Sequence, residues 1–255
     1  MIKIIIAGIA GKMGKMIFEL AQASPDMTVV AGLEQAGHPD CTNVKSTGLR
    51  ITSDTAIMKE ADVVIDFTAA GAAMKNIHSA VAAKKPIVIG TTGFSKEQLK
   101  EIKEAAQKIP VFLSPNMSPG VHLLNKLVEI TSQALSNYDI EIIETHHNKK
   151  KDAPSGTAVK LADIISKIID THDTCYGRKG NLGQRPHKQI GIHAVRAGDI
   201  VGEHTVVFAG PGERIELTHK ADSRAAFAAG SLCAALWIYG KKPGLYGMEN
   251  MLGEA

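Results

Sequence analysis

Ile2-Lys-Ile-Ile-Ile-Ala-Gly8-Ile-Ala-Gly11-Lys-Met-Gly14 opens the chain as an apolar run that breaks into a glycine-rich turn. Residues 2–7 are short and nearly continuously apolar, the pattern of a strand buried on both faces of a parallel sheet. A helix is expected from about Met13 to Ala23, with Met16, Ile17, Leu20 and Ala21 on one face and Pro25-Asp26 ending it. A second apolar run, Met27 to Leu33, leads into Glu34. This is a strand–helix–strand unit with glycines at its first crossover. Such glycines permit a tight turn and close backbone approach, so a pyrophosphate fits on the helix N-terminus. Glu34 lies twenty residues beyond Gly14, where an acid accepts hydrogen bonds from an adenosine ribose. The spacing is G-x-x-G-x-x-G; Ala10 and Met13 stand where G-x-G-x-x-G has its later glycines.

The alternation continues. Strands are expected at 61–67, 86–90 and 111–114, and helices at 71–84 and from about Ser95 to Lys108. Ser95 reads as the N-cap of the second of these, with Gln98 at the capping-box position. The pattern predicts a Rossmann-like, doubly wound parallel sheet. Ligands bind such a sheet outside the carboxyl ends of its strands. Those ends carry Gly8 to Gly14, Glu34, Phe67-Thr68, Gly90-Thr91-Thr92-Gly93 and Ser114-Pro115-Asn116-Met117.

Composition changes after Pro119-Gly120. A helix is expected at 121–135, a strand at 138–145, a helix from Gly156 to Ile169 and an exposed polar loop at 172–186. Three β-rich segments follow, 190–196, 202–209 and 213–221, then an alanine-rich helix, 225–239, and a short tail. Consecutive strands predict a second, α+β domain with a mixed or antiparallel sheet. The expected division is 1–117, 118–226 and a C-terminal segment, 227–255, returning to the first domain to cover its sheet.

Between the strand and the helix of that second domain runs Glu144-Thr-His-His-Asn-Lys-Lys-Lys-Asp-Ala-Pro-Ser-Gly-Thr157. A helix N-terminus and three lysines favour a small anion bearing more than one carboxylate or phosphate. His146 and His147 can move protons near neutral pH. His204 and His219 fall in strand-like segments and read as structural.

The bulk numbers exclude several classes. The chain has 255 residues, 44% apolar and 22% charged, as in a soluble globular protein of one or two domains. A net charge of +3 with 4% aromatic residues gives neither the basic patch nor the stacking surface of a nucleic-acid binder. No apolar run approaches the roughly 20 residues that span a bilayer, and the first residues lack a signal-peptide layout. Three scattered cysteines, Cys41, Cys175 and Cys233, fit a reducing, cytoplasmic setting and supply no metal-binding pair. No metal site is expected.

Taken together, Gly8-Ile-Ala-Gly-Lys-Met-Gly14, Gly90-Thr-Thr-Gly93, His146-His-Asn-Lys-Lys-Lys-Asp-Ala-Pro-Ser-Gly-Thr157, Arg196-Ala-Gly-Asp-Ile-Val-Gly-Glu-His-Thr205 and Glu213-Arg-Ile-Glu-Leu-Thr-His-Lys220 closely resemble the 4-hydroxy-tetrahydrodipicolinate (dihydrodipicolinate) reductase family over almost the whole chain. The resemblance implies a two-domain homotetramer that transfers hydride from NADH or NADPH to a small cyclic dicarboxylate, giving tetrahydrodipicolinate in the diaminopimelate route to lysine. It implies that His146 is the acid/base residue and Lys150 the proton donor. His147, Lys150, Gly156 and Thr157 would then hold the substrate carboxylates. Gly8, Ile9, Ala10, Gly11, Lys12, Met13, Glu34, Gly90, Thr91, Thr92, Ser114, Pro115, Asn116 and Met117 would line the cofactor.

The chain departs from the family at Gln35, where many members carry arginine beside the 2′-phosphate of NADPH. Both cofactors are therefore expected to serve, NADH at least as well, with Lys12 as a partial substitute cation. A different amino-acid-pathway dehydrogenase would share the glycine turn, but the 146–157 loop argues against it. A dinucleotide-sensing regulator would need a DNA-binding segment, and the sequence offers none.

Overall fold

A computed structural model describes residues 1–42 and 48–253; the last two residues of the expected returning tail lie outside them. The chain divides into two compact units, 1–119 with 224–255, and 120–223.

The first unit contains β1 (Ile2–Ala7), α1 (Lys12–Gln22), β2 (Met27–Leu33), β3 (Ile51–Thr52), β4 (Val63–Asp66), α2 (Ala70–Ala83), β5 (Ile87–Ile89), α3 (Lys96–Ala106) and β6 (Pro110–Leu113). The second contains most of α4 (Pro119–Ala134), then β7 (Asp139–His146), α5 (Gly156–Ile169), β8 (Thr174–Tyr176), β9 (Ile190–Arg196), β10 (Gly202–Gly210) and β11 (Glu213–Ala221). The chain then returns to the first unit through α6 (Ala225–Ile238), β12 (Gly244–Tyr246) and α7 (Met248–Gly253).

In the first unit seven strands lie in the order β12-β6-β5-β4-β1-β2-β3, every pair parallel. Alternation along β1 sends Ile2, Ile4 and Ile6 to one face, where they meet Ile17 of α1 and Ala228 and Leu232 of α6. Ile5 and Ala7 go to the other face, against Ile77 of α2 and Ile102 of α3. Ile4, Ile5 and Ile6 are wholly buried, each worth about 1.5–3 kcal/mol against exposure. Ser95 caps α3 with the reciprocal Gln98 bond expected of a capping box. The returning segment does more than cover the sheet. β12 pairs with β6 and extends the edge, satisfying backbone groups that an open edge leaves unpaired.

The second unit is a five-stranded mixed sheet in the order β11-β10-β7-β9-β8. β10 runs antiparallel to β7 and β11, while β9 runs parallel to β7 and β8. One face carries Ile140, Ile142, Ile190, Ile192, Val206 and Phe208 and is covered by Leu124 and Val128 of α4 and the apolar stripe of α5. The region 172–186, expected as loop, contains β8. Three edge residues are too few to carry a readable period. Among the described residues, no helix is long and apolar enough to cross a membrane.

Candidate active site

In the first unit the glycine turn and the strand ends surround a cavity of about 720 Å³ lined by Gly8, Ala10, Gly11, Glu34, Phe67 and Thr68, among others. Gly8 has φ +80°, and a Cβ there would stand 2.6 Å from the Phe67 carbonyl oxygen. A Cβ on Gly14 would stand 2.1 Å from the Gly8 carbonyl oxygen. Only glycine lets α1 start this close under the turn. The Glu34 carboxylate accepts from the Ala10 N–H at 3.2 Å and the Gln35 N–H at 3.1 Å, which holds it against the turn.

Other expected cofactor residues lie apart from this lining. Ile9 is buried, Met13 packs against the core and Lys12 is exposed. Gly90 sits where a Cβ would meet the Phe67 ring at 2.2 Å. Thr91 is buried, and its hydroxyl donates to Asp66 at 2.7 Å and accepts from the Thr68 N–H at 2.9 Å. Thr92 is exposed. Beyond β6, Ser114 Oγ donates to the Asn116 carbonyl at 2.6 Å, Pro115 is exposed and Met117 is buried. These two turns follow β5 and β6, at the same sheet edge as the glycine turn. The sequence reading missed Asp66, the fully buried carboxylate that also accepts from Thr68 Oγ1 at 2.8 Å and Asn76 Nδ2 at 2.6 Å. It ties the β4 turn to α2 and β5.

In the second unit β7 places Ile140, Ile142, Glu144 and His146 on one face. The first two join the core; the last two continue that face beyond the α5 contact. Glu144 is fully buried. It takes a forked pair of bonds from Arg196 at 2.8 and 2.7 Å, one from the Ser155 N–H at 3.0 Å, and faces His146 Nδ1 at 2.5 Å. Burial pushes the Glu144 carboxyl up, but the donors from Arg196, His146 and Ser155 outweigh it and hold it below its usual range. An ionised carboxylate only accepts, so Nδ1 of His146 carries the proton and Nε2 is the free position. Burial lowers the His146 pKa, Glu144 opposes this, and Lys150 and Arg196 lower it further, a balance that favours the neutral ring. Gly202 leaves it room: a Cβ there would stand 3.0 Å from Nε2.

His204, read as structural, packs edge-on against His146 with ring centroids 5.1 Å apart and pairs with Ser155 Oγ at 3.0 Å. Burial pushes its pKa down to about 4. Ser155 also caps α5, accepting from the Ala158 N–H at 3.2 Å. Gly156 is exposed with nothing within 4 Å of where a Cβ would sit, and Thr157 and His147 are half-buried. Lys150 Nζ donates to Asp152 at 2.8 Å. A buried carboxylate, an imidazole, a lysine and a helix N-terminus are groups with which a site can bind anions and move protons.

The dihydrodipicolinate reductase N-terminus model matches residues 2–117, and the C-terminus model of the same enzyme matches 120–252. The chain belongs to the dihydrodipicolinate reductase family. The 4-hydroxy-tetrahydrodipicolinate reductase of Syntrophobacter fumaroxidans is 45% identical over 99% of both chains, and that of Aquifex aeolicus 46% over the same shares. A dipicolinate-bound dihydrodipicolinate reductase from Paenisporosarcina sp. TG-14 superposes with a TM-score of 0.82 at 27% identity, covering 98% of this chain and 99% of that one. Family membership makes the chain an NAD(P)H-dependent oxidoreductase.

Proposed function

We propose that this chain reduces 4-hydroxy-tetrahydrodipicolinate to tetrahydrodipicolinate in the diaminopimelate route to lysine. The observation that carries the reading is the His146–Glu144–Arg196 cluster beside Lys150 and the N-terminus of α5. A dicarboxylate needs cations and the positive end of a helix, and reduction of a conjugated ring needs a proton source. This cluster has both.

The cavity of the first unit suits NADH or NADPH: the bare turn at Gly8 to Gly14 admits a pyrophosphate and Glu34 offers ribose acceptors. The bound nicotinamide supplies the hydride. Gly8 to Met13, Gly90 to Thr92 and Ser114 to Met117 form its surroundings in this reading. The first unit is the dinucleotide-binding domain and 120–223 the substrate domain.

Lys150, His147 and the N–H groups of Gly156 and Thr157 hold the carboxylates. A dianion arriving beside His146 favours its protonated form, so the substrate loads its own acid. The hydroxyl takes one proton and leaves as water while the neighbouring ring carbon gives one up, and after the hydride arrives one proton returns to that carbon; His146 Nε2 and Lys150 thus supply one net proton per turnover. Glu144 keeps the His146 ring aimed and Arg196 keeps Glu144 charged.

The uncovered face of the mixed sheet, with Ile143 and Val195 exposed, supports a homotetramer built through the second unit. Three free thiols support a cytoplasmic setting. The test supplies substrate formed in situ from pyruvate and aspartate semialdehyde and follows nicotinamide absorbance. No consumption with either cofactor would overturn the reading.

A further inference from the structure

We propose that Lys75 of α2 is the cation that receives the 2′-phosphate of NADPH; this rests on the dinucleotide reading of the cavity above. The need is set by Glu34 and Gln35. A phosphate ester beside the Glu34 carboxylate meets like charge, and the Gln35 amide next to it is neutral. Lys12, the substitute expected from sequence, is exposed and outside the cavity lining.

The wall beyond Glu34 is built by β3 and the turn after it. The Glu34 N–H donates to the Thr52 carbonyl at 3.0 Å, so Ser53 follows directly beside the ribose acid. Two residues on, Thr55 Oγ1 accepts from Ser79 Oγ of α2 at 2.9 Å. That bond pins α2 to the wall. Lys75 lies four residues before Ser79, on the same helix face. Ser53, Thr55 and Lys75 accordingly line the cavity together with Glu34 and Gln35.

Lys75 is exposed and makes no ion pair or hydrogen bond among the described residues. Two hydroxyl donors and an uncommitted ammonium beside a ribose acid fit a dianionic phosphate monoester. A lysine suits the position because its flexible stem carries a point charge across from a helix, where the arginine fork at position 35 is missing.

The experiment measures NADPH and NADH dissociation constants by titration calorimetry on the full chain. It compares the parent with Lys75→Gln, Lys75→Arg and Lys12→Ala, each checked for native circular dichroism. Lys75→Gln is expected to weaken NADPH by roughly threefold to tenfold, the loss of one exposed charge-assisted contact, and to leave NADH within about twofold. Lys75→Arg restores NADPH. Unchanged NADPH affinity in Lys75→Gln, equal weakening of both cofactors, or a selective NADPH loss in Lys12→Ala alone overturns the assignment. Binding of neither dinucleotide by the parent removes the cavity reading and this inference with it, whereas intact NADH binding separates the two.

Discussion

Glu144 Oε2 and His146 Nδ1 stand 2.5 Å apart on one face of β7, with the carboxylate fully buried. Because Arg196 grips both oxygens of that carboxylate, it cannot turn away from the ring. Glu144→Gln replaces an acceptor with a group that also donates, and frees the imidazole to change tautomer. We expect kcat to fall by about tenfold to a hundredfold, the lower range of a disturbed acid/base group. The kcat profile against pH should shift as well, which a purely structural role for Glu144 would not cause. Parent-like kcat and profile in a folded variant would refute the orienting role.

His146→Gln and Lys150→Ala are expected to lower kcat by about 10²–10⁴-fold, the loss of a proton-transfer group. Lys150 lies in a polar loop and pairs with the exposed Asp152, so its variant should keep the parent's urea midpoint. Steady-state kinetics on folded protein decide; undiminished turnover in either variant would sink its catalytic role.

Stability should fall in two acid windows. His204 is held down to about 4 by burial, so the unfolded chain binds the extra proton. Its contribution is complete above the usual histidine value of 6.5 and fades as pH falls toward 4. Glu141, on the opposite face of β7, is raised by burial but lowered more by Arg178, His193 and Arg185, to about 2. Its contribution is complete above 4.5 and fades toward 2. Shifts of this size correspond to an upper bound of about 3.4 kcal/mol each, reduced by solvent screening at the part-exposed Glu141. Urea midpoints measured from pH 8 to pH 3 should fall in both limbs. His204→Gln should flatten the upper limb and Glu141→Gln the lower; a variant that leaves its limb unchanged refutes that attribution.

Gln35→Arg is expected to raise kcat/KM for NADPH while changing NADH little, because the fork grips a phosphate that the amide cannot. Equal gains with both cofactors would mean that the new side chain acts on something the two share.

Much of the architecture was legible because it is local. The apolar run of β1, the stripe of α5 and the turn chemistry before α3 each declare themselves within a dozen residues. β3 and β8 did not, since two or three edge residues carry no period. The candidate site of the second unit was legible at the 146–157 loop as a cluster of ionisable side chains, and its buried supports lay one step behind it. Glu144 could have been found by parity, since Ile140, Ile142, Glu144 and His146 share one face of a strand. Arg196 could not. It meets Glu144 only because β7 and β9 pair in a register that sets His146 opposite Arg196, and register between distant strands is not written in either one alone. Asp66 was hidden for the same reason: its partners Thr91 and Asn76 arrive from the turn after a neighbouring strand and from a helix.

The return of the chain to its first unit fixes an order of events during synthesis. Residues 120–223 are contiguous and can gather their core as soon as they emerge. The parallel sheet cannot be finished then. Its β6 edge waits for β12, and Ile4, Ile6, Val88 and Phe112 wait for α6, all made last. A chain that stops before Ala225 therefore keeps an apolar sheet with one face partly bare, and exposed apolar surface of that kind is prone to aggregate.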